Sequence, residues 1–141
     1  MKNKFSISWK NSKLPRKQRK YIANAPLHIK RKLLSVNLSK DLRKKHNKRN
    51  IEVRKGDVVK ITRGKFKKRQ GKITKIKTKF LKVYIEGLQL KKREGSKSDI
   101  PFQPSNLQII ELILDDKKRL NSIVRKESKD KNELNKKDKE K

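Results

Sequence analysis

Between Gly56 and Leu114 the apolar residues fall into short alternating runs separated by glycine- or proline-bearing turns, a pattern suited to half-buried strands and not to helices. Val59 and Ile61 alternate with Lys60 and Thr62 after the Gly56-Asp57 turn signal. Ile73 and Ile76, beyond Gly71, stand three apart, which predicts a bulge or bend in the second strand. Leu81, Val83 and Ile85 alternate with Lys82, Tyr84 and Glu86, and Gly87 closes the run. Past a polar loop around Gly95, Ile100 and Phe102 alternate as far as Pro104, and residues 107–114 make a denser apolar strand. Five short strands in one stretch predict a small all-β barrel with Val59, Ile61, Ile73, Ile76, Leu81, Val83, Ile85, Leu107 and Ile109 in its core.

Little else in the chain can bury a core. Of 141 residues, 30% are hydrophobic and 42% charged, with 45 Lys or Arg against 14 Asp or Glu and a net charge of +31. Burial on that scale does not offset the entropy of ordering the whole chain, so part of it is expected to be disordered or held by a partner. A surface this positive repels itself unless polyanions neutralise it, and nucleic acid is the expected partner. An anionic membrane competes for that place, but no run approaches the roughly 18 apolar residues of a spanning helix. No basic amphipathic segment carries a broad apolar face either. The absence of cysteine excludes disulfides and cysteine-ligated zinc sites. The first residues lack a continuous apolar segment, which predicts an intracellular chain; an organellar transit peptide shares the same basic, serine-containing composition.

The charge is unevenly placed: residues 1–50 carry 17 cations and one acid, Asp41, whereas residues 101–141 carry 11 cations and eight acids. Five regions are expected: a basic arm over 1–23, short basic helices over 24–50, the barrel over 51–114, a short helix over 115–126 and a disordered charged tail over 127–141. In the arm, Phe5, Trp9 and Tyr21 lie among cations that include Arg16, Lys17, Arg19 and Lys20. Such aromatics can stack on bases while their neighbours bind phosphates, or can pack on the protein body; Trp9 is the candidate for stacking. Asn24-Ala25-Pro26 supplies a candidate helix start, with Asn24 as cap, and Ser39 caps a second helix that has Asp41 in its first turn. Lys30, Arg31 and Arg43 on these helices, and Arg54 and Lys55 beyond them, are candidate nucleic-acid contacts. Asp57 reads as a turn former. Asp115 and Asp116 open the terminal helix, with Leu120, Ile123 and Val124 at helical spacing.

The link between the first two strands, residues 63–72, is the most cationic segment of the barrel. Arg63, Lys65, Lys67, Lys68, Arg69 and Lys72 all fall within it, and Gly64 and Gly71 stand near its ends. With Gly56 these glycines permit sharp turns, so the loop is expected to project its cations toward phosphates. Phe66 either covers a base or tucks into the barrel rim.

The segment from Lys55 to Lys67, together with Gly71-Lys72-Ile73 and Val83-Tyr84-Ile85-Glu86-Gly87, resembles the KOW motif. That motif occurs in ribosomal proteins and in transcription elongation factors of the NusG type. The flanks resemble one family more closely: Arg16-Lys17-Gln18-Arg19-Lys20, Asn24-Ala25-Pro26-Leu27-His28, Leu38-Ser39-Lys40-Asp41-Leu42-Arg43 and Pro104-Ser105-Asn106-Leu107 are similar to large-subunit ribosomal protein family twenty-four, called twenty-six in eukaryotes, in its archaeal and eukaryotic form. The resemblance implies a mainly β fold with α arms, built on an SH3-like KOW barrel. It also implies binding to large-subunit rRNA early in assembly, beside neighbouring ribosomal proteins and near the exit of the nascent-peptide tunnel, in the cytoplasm. One departure stands out: the family commonly has glycine where this chain has Lys68.

Enzymatic function is not expected. The chain has two histidines, His28 and His46, no cysteine, and no glycine-rich phosphate-binding or dinucleotide pattern, so no cofactor, metal or small-molecule substrate is implied. A KOW-type transcription elongation factor is the nearest alternative, although the basic residues before Gly56 are too poor in apolar side chains for the α/β domain which that class resembles. A general basic DNA-compacting protein is the other.

Overall fold

The computed structural model describes residues 5–7 and 12–123. Helix α1 (Pro15–Asn24) begins where Pro15 presets its backbone angle, and it runs until the chain must extend ahead of Pro26. Helix α2 (Leu27–Leu33) follows at once; Pro26 is its extended cap residue, and the Pro26 carbonyl accepts from the Ile29 and Lys30 N–H groups. Asn24 therefore closes α1 rather than capping α2. The arm of residues 1–23 contains a helix that its lack of apolar periodicity had concealed, since α1 buries none of its side chains.

Strand β1 (Ser35–Leu38) turns directly into α3 (Lys40–His46), where Ser39 Oγ accepts from the Leu42 N–H as expected and Asp41 lies in the first turn. Asn47, with φ of 46°, ends α3 in the left-handed region. The strands that follow are β2 (Asn50–Glu52), β3 (Val58–Ile61), β4 (Gln70–Lys77), β5 (Lys82–Ile85), β6 (Gln89–Lys91), β7 (Lys97–Asp99) and β8 (Leu107–Glu111). A fourth helix occupies residues 117–123.

Six strands form one strongly bent sheet in the order β2-β1-β8-β3-β4-β5, and β6 with β7 makes a separate hairpin. All neighbours in the large sheet are antiparallel except β1 and β8, which run parallel. Strand β4 turns the corner: residues 70–72 pair with β3, then the register slips between Ile73 and Lys75 before pairing with β5 continues. That slip is the bulge expected from the spacing of Ile73 and Ile76. Phe102 closes the other side by exchanging both backbone hydrogen bonds with Val83, at 3.0 and 2.8 Å. The result is barrel-like, with short helices around it.

Val36, Leu38, Val59, Ile61, Ile73, Val83, Ile85, Leu107 and Ile109 are all buried in one cluster. Ile76 and Leu81, expected at its centre, are only partly buried against its edge. Strand β8 stops at Glu111 instead of reaching Leu114, because the Ile113 N–H leaves the ladder and donates to Asp57 Oδ1 at 3.2 Å. Asp57 is thus more than a turn former. Its carboxylate is fully buried, accepts from the Arg54 N–H at 2.9 Å, and holds the Arg119 guanidinium by two bonds of 2.6 and 2.7 Å. Arg119 in turn donates to the Ile113 and Glu52 carbonyls, fastening the last described helix to the barrel.

Candidate nucleic-acid interface

Residues 62–69 join β3 to β4 in a compact loop tied by its own backbone. The Lys67 N–H donates to Gly64 O at 3.0 Å, Arg69 N–H to Phe66 O at 3.2 Å, and Lys68 N–H to Ile61 O at 2.8 Å. Thr62 anchors the base, donating through both its N–H and its hydroxyl to Asn106 O. Gly64 has φ of 90°, a turn only glycine makes without strain. Gly71 serves differently: its φ is not positive, and a Cβ there would come within 2.6 Å of the Ile85 side chain. It admits β5 rather than bending the loop. Gly56, at φ of 95°, opens the turn into β3.

The backbone order leaves the side chains of Arg63, Lys65, Lys67, Lys68 and Arg69 exposed, and Lys72 is exposed on the adjoining strand. Phe66 goes to the rim: its ring meets Phe102 edge-on at 6.1 Å, and the Arg69 guanidinium lies over it at 5.4 Å. The structure therefore favours the packed alternative for Phe66 over a base contact. In the arm, Phe5 likewise packs on Tyr21 at 4.8 Å, whereas Trp9 lies outside the described residues.

The remaining candidates divide by location. Arg16, Lys17, Arg19 and Lys20 are exposed on α1, Arg31 is exposed on α2, and Lys55 is exposed in the turn before β3. Lys30 is 8% exposed, and its ammonium donates to Ala23 O at 3.2 Å across the α1–α2 junction. Its place is inside the helix pair, so it positions the basic helices and is not a surface contact. Arg43 is half-buried and donates through Nε to Leu38 O at 2.9 Å, while the Arg54 guanidinium pairs with Asp116. Loop, α1, α2 and turn thus each present exposed cations, and Arg31 and Lys55 line one cleft. Among the described residues no group of three or more His, Cys, Asp or Glu could hold a metal ion, and no helix is long and apolar enough to cross a membrane.

Comparison with known proteins decides the class. The profile described as the ribosomal proteins L26 of eukaryotes and their L24 counterparts of archaea matches residues 12–126. The chain belongs to that family. The large ribosomal subunit protein uL24 of Nanoarchaeum equitans (strain Kin4-M) is 44% identical over 125 residues, covering 89% of this chain and 84% of that protein. The large ribosomal subunit protein uL24 of Methanosphaera stadtmanae (strain ATCC 43021 / DSM 3091 / JCM 11832 / MCB-3) is 44% identical over 115 residues, covering 82% and 98%. Membership in a family of ribosomal proteins bears out the expectation of a structural, non-enzymatic role.

Within this member of the ribosomal L26 family the Lys68 departure has a geometric answer. Lys68 adopts φ of 74°, the left-handed conformation that a glycine would take freely, so the loop holds its turn with a strained cation in place. Reading along the chain overlooked Arg119, whose partner Asp57 is 62 residues away. No local pattern signals such a pairing; the shortage of acids offered only the hint that each one present had a specific use.

Proposed function

We propose that this ribosomal protein is a structural constituent of the large subunit and binds rRNA through the loop of residues 62–69, supported by the exposed cations of α1, α2 and the turn before β3. One observation carries the reading: a backbone-fixed loop presents Arg63, Lys65, Lys67, Lys68 and Arg69 to solvent on a rigid barrel. Charge carried on a fixed backbone meets phosphates without the cost of ordering the loop, which leaves only the side chains to be ordered. A-form RNA conceals its base edges in a deep, narrow groove, so recognition rests on backbone shape, phosphates and 2′-hydroxyls.

The reading extends to early binding during assembly and to a position near the exit of the nascent-peptide tunnel, in the cytoplasmic ribosome. Sedimentation of the tagged chain with cell lysate tests the class of partner. Co-migration with large subunits that survives moderate salt is the expected result; a pool bound to chromatin or polymerase, with none on the subunit, would overturn it. Crosslinking of the chain to a stalled nascent peptide tests the position.

A further inference from the structure

Among the described residues Phe80 is the most exposed large apolar side chain, at 64%. It ends a 3-10 turn, Thr78–Phe80, that joins β4 to β5. The turn is fixed at both ends. Leu81 takes the left-handed region at φ of 54°, its N–H donates to Thr78 O at 3.3 Å, and its side chain packs against the core edge. A bulky residue holds such a conformation only where its surroundings demand it. Here the strain turns Leu81 inward and leaves its neighbour Phe80 outside. The turn also packs against α2, so the ring stands on a rigid support.

The surroundings of this ring are cationic. Between Asp57 and Glu86 the chain has no acidic residue, and Lys75, Lys77 and Lys79 are exposed along β4 and the turn. Lys79 Nζ lies 5.9 Å from the Phe80 ring centroid, and Lys77 Nζ lies 5.3 Å from that of Tyr84. Thr78, two residues before Phe80, lines a cleft of about 510 Å3 whose rim includes Arg31, Arg54, Lys55 and one acid, Glu52. An exposed aromatic alone means little on a protein surface. A ring fixed on a strained turn, flanked by lysines and beside a cleft lined by Arg31 and Lys55, with Arg54 held by Asp116, suits a flat, apolar ligand that carries negative charge at its edge.

We propose that the Thr78–Phe80 turn is a stacking platform for one unpaired RNA base, with Phe80 under the base and Lys77 and Lys79 on the flanking phosphates. It is a second contact, separate from the loop of residues 62–69, and it rests on the reading of the chain as an RNA-binding protein. Stacking on an aromatic face tolerates any base, so the platform recognises an extruded nucleotide by its conformation rather than its identity.

The test uses the full chain and two RNA hairpins, one fully paired and one carrying a single bulged 2-aminopurine. The wild-type chain is expected to change the 2-aminopurine fluorescence on binding. Phe80→Ala should lose that change and weaken binding to the bulged hairpin about 5- to 150-fold, the range for removing one stacked base. Affinity for the paired hairpin should stay as it was, Phe80→Tyr should restore the signal, and melting temperatures should match. Equal affinity and fluorescence change for Phe80→Ala would overturn the platform while wild-type binding to both hairpins upheld the RNA reading, and would reassign the ring to a protein contact. Failure of the wild type to bind either hairpin would overturn both.

Discussion

Asp57 shows how much one acid can be asked to do in a chain so rich in cations. Its two oxygens satisfy the Arg54 and Ile113 N–H groups and both terminal nitrogens of Arg119, with Arg119 Nε left unpartnered in the interior. A buried ion pair stabilises little beyond what an apolar pair would, but removing one member leaves the other charged and dry. Asp57→Ala is therefore expected to lower unfolding stability by about 3–5 kcal/mol, measured by denaturant titration. Lys68→Gly should act in the opposite direction. Releasing a left-handed lysine gains about 1 kcal/mol, so the melting midpoint should rise even as one loop cation is lost.

At the level of elements, strands and loop carry different loads. The loop of residues 62–69 closes on itself through backbone bonds, and its cations play no part in the core. Replacing Lys65, Lys67 and Arg69 by Ala should therefore weaken rRNA binding and leave the thermal midpoint nearly unchanged. Melting of the domain by the triple change would make the loop structural instead. Val59→Asp, which buries an unpaired charge at a fully enclosed position, should by contrast prevent folding. Much of this was legible in the sequence: period-two runs gave β3 and β5, the dense apolar run from Leu107 gave β8, the Ile73–Ile76 offset gave the bulge, and Ser39 gave the α3 cap. Strand β1 was hidden because Val36 and Leu38 offer only two alternations between helices, and its partner β8 lies far along the chain. Helix α1 was hidden because none of its side chains is buried. The packing of Phe66 and the exposure of Phe80 depend on how each turn aims its side chain, which composition does not encode.

Over the whole molecule, a net charge of +31 is concentrated in the first hundred residues, where 34 cations face only six acids. Binding by this surface releases counterions from RNA, and affinity should fall with salt at a log–log slope of roughly 0.7 to 0.9 for each phosphate contacted. For about ten contacts, a titration by filter binding or fluorescence anisotropy should show a slope of roughly 7 to 9. A nearly flat dependence would contradict phosphate recognition.

The sheet order also sets a schedule. Strand β8 lies between β1 and β3, so the β1–β2 pair and the β3–β4–β5 meander meet only through the last strand of the sheet to be synthesised. During translation Leu38 must wait for Ile109, and contacts of such long reach are slow to form. Until then the early half of the chain leaves the ribosome with a strand edge uncovered and most of its positive charge already present, so the emergence of β8 is the clock that joins the two parts of the sheet.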